Sequence, residues 1–372
     1  MRLTTKAQLE RRVRPLITTV LSPKTAVSLY SAMRINFLSD LKEEVPQTIY
    51  NPPPKLERIL WGIKFRSPIM NAAGMFKNGE CYEMVALQGA AAYLGGTSTF
   101  NGRVGFYKNG IFLPFVPYPG SRAASNWLGL PNEGDPFVSK RVRTFRRVQG
   151  CPIVWSVMAS PDLQEDEKLP RLVQGMKLHE SAGVDLLEIN ESCPNTSHRR
   201  PQDDDLANRL KYVRENFLNQ RERRIPVIVK LSNDTEAEQI PLILDLLFEL
   251  GFDGVNFGNT STQYKKRRKH IHPRERRLYD YFTKTFGGGV SGVPLKESSL
   301  TLASRAVEYL KQGPPSHEFH VWRTGGIETS QDLKESDIAG ISLNLWFTAY
   351  WEEFGKHGHE VYRKLYDKFL SS

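Results

Sequence analysis

Cysteine is scarce in this chain: three residues in 372, at Cys81, Cys151 and Cys193. Three are too few for a disulfide framework, and no two share the spacing of thiolate ligands, which excludes a sulfur-bound structural metal. Single thiols suit a reducing compartment, where each is open to packing or to chemistry. No run approaches the roughly 18 consecutive apolar residues of a membrane span. The N-terminal stretch lacks the apolar core and small-residue cleavage site of a secretory leader, so none is expected. No polar low-complexity tract points to disorder. The G-x-G-x-x-G of a dinucleotide fold is missing where it would be expected, because the first apolar strand candidate runs into "NAAGMFKNGE".

What is present is a core-forming composition, 40% hydrophobic, arranged in a regular order. After the linker-like "YNPPP" (Tyr50 to Pro54), short apolar runs recur: "SPIMNA", "AAYLGG", "PIVWSVM", "VDLLEIN", "IPVIVKL", "FDGVNFG", "EFHVWR" and "IAGISLNL". Stretches with helical spacing lie between most of them, such as "LPRLVQGMKLHESAG" and "EQIPLILDLLFELG". Continuous apolar strands alternating with helices imply a parallel sheet covered on both faces. Eight such units predict an α/β fold of the (β/α)8 TIM-barrel kind, whose usual size of about 250 residues or more fits the chain beyond the linker. A doubly wound open sheet is the alternative. The expected organisation is an N-terminal helical extension over residues 1–49 and a barrel over residues 50–372.

Barrel enzymes carry their sites at the C-terminal ends of the strands. Those ends place Lys77 after the first strand, Thr97 after the second, and Asn190, Cys193 and Asn195 after the fourth. Lys230 closes the fifth, Asn259 and Thr260 the sixth, Gly325 and Gly326 the seventh, and Thr348 follows the eighth. Polar groups gather on one rim while the strand bodies stay apolar. "GGGVSG" (Gly287 to Gly292) and "RTGGI" (Arg323 to Ile327) offer backbone amides without side-chain obstruction, as a phosphate requires; glycine-rich turns are also ordinary loop punctuation.

The motifs "NAAGMFKNGE", "GGTST", "NWLGLPN", "INESCPNT", "VIVKL", "GNTST", "GGGVSG" and "RTGGI" follow one another as they do in the dihydroorotate dehydrogenases, flavoproteins of pyrimidine biosynthesis, and the chain resembles that family over nearly its whole length. The resemblance implies oxidation of dihydroorotate to orotate. Asn126, Asn190, Asn195 and Asn259, with Thr260 beside them, match the positions that bind the substrate ring; carboxamides offer donors and an acceptor to a ring edged with C=O and N–H. Lys77 matches a lysine near the substrate carboxylate. FMN is the implied cofactor, held without a Rossmann unit. Ala73 and Gly74 would let the backbone approach the flavin, Thr97 and Asn190 would bind its edge, and Lys230 would face the end where negative charge develops. Ser291, Gly292, Gly325, Gly326 and Thr348 would cradle the phosphate, with Phe347 beside them. No metal is implied. The reaction removes a proton from C5 and a hydride from C6, and Cys193 is the implied base. An ordinary thiol titrates at about 8.5, so it needs activation or a relay near neutral pH. A small buried hydrophobe is the bland alternative for Cys193.

The family has a soluble branch with a cysteine base, which uses fumarate or NAD, and a membrane-associated branch with a serine base and an N-terminal helical pair, which reduces quinone. This chain mixes them. Its start, "RPLITTVLSPKTAVSLYSAMR", and Lys77 in "GMFKNGE" resemble the quinone branch, whereas "INESCPNT" has the soluble cysteine. Phe76, Trp127, Gly258 and Phe347 depart from the quinone pattern, and Gly110 stands for an arginine of the quinone tunnel. Quinone is the expected acceptor, with fumarate and a related dihydropyrimidine substrate as alternatives.

The formal charge of +10 includes "KKRRKHIHPRERR", Lys265 to Arg277. Nucleic acid or an anionic membrane would be attracted to such a run. It lacks the interleaved aromatics of nucleic-acid readers, so a solvated loop is the simpler reading and nucleic acid is not expected. "LERRVRPLITTVL" and "KTAVSLYSAMRINFLSDL" are amphipathic, and "SPK" between them suits a helix start at Ser22 and Pro23. Residues 1–45 are therefore expected to pack on the barrel or lie on a membrane surface, on the cytoplasmic side of the inner membrane if the quinone branch applies, and otherwise in the soluble cytoplasm.

Overall fold

The computed structural model describes residues 2–46, 49–192 and 204–371. Among these, eight parallel strands form the central sheet: β1 (Ile69–Asn71), β2 (Tyr93–Ser98), β3 (Ile153–Val157), β4 (Leu186–Asn190), β5 (Val227–Leu231), β6 (Gly254–Phe257), β7 (His320–Thr324) and β8 (Leu343–Trp346). Each overlaps one of the eight apolar runs, and β2, β7 and β8 extend one or two residues past the end of theirs. Backbone pairing runs from β2 through β3 to β8 and back to β1. The seam between β1 and β2 is closed by a side chain: Asn71 Nδ2 donates to Leu94 O at 2.7 Å, and Leu94 N donates to Asn71 Oδ1 at 3.1 Å. An amide side chain thus supplies the donor and acceptor that a neighbouring strand would offer. The sheet is a closed barrel, not an open doubly wound sheet.

Inward-facing residues fill it. Met70, Leu94, Val154, Leu186, Ile228, Trp322 and Leu343 pack as one buried apolar cluster inside the strands. The larger core lies between the strands and the helices that cover them, among which Glu165–Ser181 and Ile240–Glu249 occupy the two helical stretches quoted above. Apolar side chains fill the lower barrel, and the open space lies at the C-terminal rim.

Two additions build up that rim. The first is an antiparallel sheet of Phe115–Tyr118, Ala123–Asn126 and Gly289–Gly292, in which Asn126 pairs with Gly289 and Ala123 with Gly292. Four of the six residues of "GGGVSG" are therefore strand rather than free loop, and the sheet brings Asn126, Ser291 and Gly292 to the barrel mouth. The second is a pair of helices, α1 (Leu3–Val20) and α2 (Pro23–Lys42). The Ser22 side chain accepts from Thr25 N, and Pro23 occupies the first turn, where its missing N–H costs nothing. Arg11 and Arg14 of α1 pair with Glu352 at 2.7 and 2.8 Å, fixing α1 to the helix Thr348–His357. In α2, Ser31 Oγ accepts from Phe115 N at 3.1 Å, which ties that helix to the rim sheet.

Candidate active site

The strand ends open on one cavity of about 1060 Å³, its mouth included. Its lining contains Lys77, Asn126, Asn190, Asn259 and Thr260, and also Ala73, Gly74, Thr97, Lys230, Ser291, Gly292, Gly325, Gly326, Phe347 and Thr348. These are all the site residues expected from the sequence except Cys193 and Asn195, which lie outside the described residues.

Two of the carboxamides, Asn190 and Asn259, form a connected group. Asn190 ends β4 and is buried; its Nδ2 donates to Thr97 Oγ1 at 3.0 Å, and that hydroxyl shares a 2.9 Å bond with Ser156 Oγ. Asn190 Oδ1 accepts from Asn259 Nδ2 at 3.2 Å, and Asn259 Nδ2 also lies 3.2 Å from the carbonyl and hydroxyl of Ser192. The segment that continues into Cys193 thus leaves from directly beside this pair. Thr260 Oγ1 is buried without a hydrogen-bond partner among the described residues, a donor available to a bound polar ring.

The same cavity is also lined by glycine-rich turns that could cradle an anion. Gly326 has φ +70°, and a Cβ there would sit 2.5 Å from the backbone N and Cα of Lys296; at Gly292, φ +91°, it would meet Arg122 O at 2.2 Å. Only glycine fits either position. Thr348 begins a ten-residue helix, whose N-terminus favours negative charge, and its hydroxyl bonds Ser291 Oγ at 2.9 Å. Arg323 holds the turn after β7 from behind. Fully buried, it donates to Ser299 Oγ at 3.0 Å and Ser336 Oγ at 2.9 Å, while Ser299 Oγ donates to Gly325 O at 2.6 Å. Burial pulls the Arg323 guanidinium down to about 10. The donors and the space fit a phosphate.

A second cavity of about 1510 Å³, mouth included, lies between α1, α2, the strand Phe115–Tyr118 and the helix Thr348–His357. It shares Arg34, Phe115, Glu328, Phe347 and Thr348 with the first, so the two spaces adjoin. Its walls mix Met75, Phe37 and Trp351 with Glu10 and Arg14. Gly110 lines neither cavity: it sits in the turn of the Tyr107–Phe112 hairpin, and Pro117 occupies the wall instead.

Glu328 is a lining residue not anticipated from the sequence. Burial pushes its carboxyl up to about 7 despite an ion pair at 3.0 Å with Arg122, which is itself exposed. A carboxyl raised in the folded state adds no penalty below its ordinary value near 4.5 and progressively destabilises the fold as pH rises from there to about 7. Glu328→Gln should therefore melt with the native chain at pH 4.5 and above it at pH 8, by up to about 3 kcal/mol for a shift of this size. Thermal melts at the two pH values check this; an equal offset at both would contradict it.

The other thiols and two arginines of the basic run are held by their surroundings, while Lys265, Lys266, Lys269, Arg274 and Arg277 are exposed. Burial raises Cys81 to about 12 and Cys151 to about 11, which keeps both protonated. In the basic run, Arg267 is buried against Ser261 and the carbonyl of Pro294, and Arg268 pairs with Asp280 at 2.7 Å. Among the described residues no group of histidine, cysteine and carboxylate side chains could hold a metal.

Comparison with known proteins makes this (β/α)8 barrel an oxidoreductase that acts on CH–CH groups. The family described as dihydroorotate dehydrogenase matches residues 55–369, and the chain belongs to that flavin-dependent family. Curated relatives named dihydroorotate dehydrogenase (quinone) include one from Bordetella avium, 29% identical over 305 residues and covering 79% of this chain and 80% of its own. Another, from Streptomyces griseus, is 28% identical over 314 residues, covering 84% and 80%. The dihydroorotate dehydrogenase of Eimeria tenella, solved in complex with ferulenol, superposes with a TM-score of 0.75 at 24% identity over 92% of this chain and 90% of that one, which establishes the shared fold.

Proposed function

We propose that the protein is an FMN-dependent dihydroorotate dehydrogenase that oxidises (S)-dihydroorotate to orotate in pyrimidine biosynthesis and passes the electrons to quinone. The observation that carries this is one cavity lined by Asn126, Asn190, Asn259 and Thr260, by the glycine-rich turns and by Lys230. Gly292, Gly325, Gly326, Ser291 and Thr348 would hold the phosphate of FMN, and Ala73, Gly74, Thr97 and Phe347 would border its ring. When bound, FMN would supply the hydride acceptor for C6 and the carrier of the two electrons. The asparagines, with Asn195, orient the dihydropyrimidine ring, and Lys77 balances its carboxylate. Cys193 takes the C5 proton. Lys230 supplies a fixed positive charge where reduction makes the site more negative, a preorganised electrostatic contribution.

Anaerobic mixing tests the reading. FMN-loaded protein should be bleached rapidly by dihydroorotate and not by dihydrouracil; the reverse preference would reassign the substrate.

The second cavity, adjoining the first, supports quinone as acceptor, as do the names of the curated relatives. On α1, Leu9, Val13, Leu16 and Val20 are spaced for one helical face and are 54, 38, 64 and 69% exposed. That stripe supports residues 1–49 as an extension that rests on a membrane surface, although no helix among the described residues is long and apolar enough to cross one. Leu16→Glu with Val20→Glu should reduce flotation with vesicles severalfold and slow turnover with a membrane-dissolved quinone, while anaerobic bleaching by dihydroorotate is unchanged. Flotation at the native level would remove the helix from membrane contact, and faster turnover with fumarate than with quinone would reassign the acceptor.

A further inference from the structure

The strand β4 carries a charge where a barrel interior is normally apolar. Glu188 lies two residues before Asn190, on the same inward face, and is fully buried. Its Oε2 accepts from Asn256 Nδ2 at 2.7 Å, and Asn256 Oδ1 accepts from Thr324 Oγ1 at 2.9 Å. Its Oε1 has no hydrogen-bond partner among the described residues and lies 3.8 Å from Lys230 Nζ. Strand register explains the meeting: Asn190 pairs with Lys230 and Lys230 with Asn256, so Glu188 sits one layer below a lysine flanked by two amides. Beneath it are Leu186, Ile228, Trp322 and Leu343, which offer no countercharge. Lys230 is also almost wholly buried. Each charge is thus the other's compensation, in surroundings where screening by water is weak.

We propose that Glu188 is a positioning and tuning residue for the flavin site. Held by Asn256 and Thr324, it fixes the Lys230 ammonium at the cavity wall and cancels part of its charge, which sets how strongly that lysine favours added negative charge in the cavity. The inference rests on the placement of FMN in that cavity and deepens it. Partial cancellation follows from geometry, because Lys230 lines the cavity and Glu188 lies behind it. A merely structural ion pair would stabilise the fold without altering the redox balance of a bound group.

The test is the midpoint potential and affinity of FMN in the full-length protein. Glu188→Gln keeps the shape and the acceptor for Asn256, and Glu188→Leu replaces the carboxylate with the apolar filling of its neighbours. Both should favour reduced over oxidised FMN by about tenfold or more, an upward shift of about 30 mV per tenfold for a two-electron couple. In a Lys230→Met background the added Glu188→Gln should produce no such shift, because a buried carboxyl without its cation takes up a proton. An unchanged potential in both single variants overturns the proposal. So does a shift of the same size with and without Lys230, or loss of FMN from both folded variants, since an uncompensated lysine should hold the cofactor no more weakly. A native chain that binds no FMN instead overturns the functional reading itself.

Discussion

Gly326→Ala should give a folded protein that loses its FMN during gel filtration. The backbone there is left-handed, which costs a residue with a Cβ about 1–2 kcal/mol. The added methyl would also approach the backbone of Lys296 to 2.5 Å, forcing the loop after β7 away from the helix that begins at Lys296. Displacing one amide from a phosphate removes a charge-assisted hydrogen bond of about 1.5–3 kcal/mol. The lost hydrogen bond alone corresponds to roughly ten- to a hundredfold weaker binding. Fluorescence titration with FMN measures it. Gly110→Ala is the control, because it has nearly the same φ, +79°, but only open space around a Cβ. If both variants bind FMN like the native chain, the phosphate does not lie against Gly326.

Cys193→Ala should slow anaerobic flavin reduction by dihydroorotate about 10²–10⁴-fold, the usual contribution of a positioned general base, and leave FMN bound. The native rate should rise with pH as the thiol ionises, toward about 8.5 for an ordinary cysteine, and the variant should lose that dependence. No other thiol can substitute, since Cys81 and Cys151 are held protonated by burial, and their alanine variants should react at the native rate. Stopped-flow absorbance separates these outcomes. Fast, pH-dependent reduction in Cys193→Ala would remove the thiol from the mechanism.

The eight strands, both N-terminal helices and the rim were legible in the sequence because each depends on local pattern. Apolar runs between helical stretches identify strands, Ser22 with Pro23 marks a helix start, and a strand's C-terminal end follows from its direction. Asn190 could be placed at such an end without knowing what lies across from it. Glu188 left a signal as well: a carboxylate on the inward face of "LLEIN" contradicts an apolar barrel interior.

The partners of these residues could not be read locally. That Glu188 meets Lys230 and Asn256 is decided by the register of β4, β5 and β6. Asn71 bridging β1 and β2, Arg323 behind the glycine turn after β7, Glu328 between the two cavities, and Gly110 in a hairpin turn that lines neither likewise depend on segments remote in sequence. The sequence by itself determined the type of fold and which of the described residues stand on the rim. Tertiary structure alone decided which charges face one another, because hydrophobic periodicity specifies the face a side chain occupies, while distance between strands is set by pairing register and closure of the sheet.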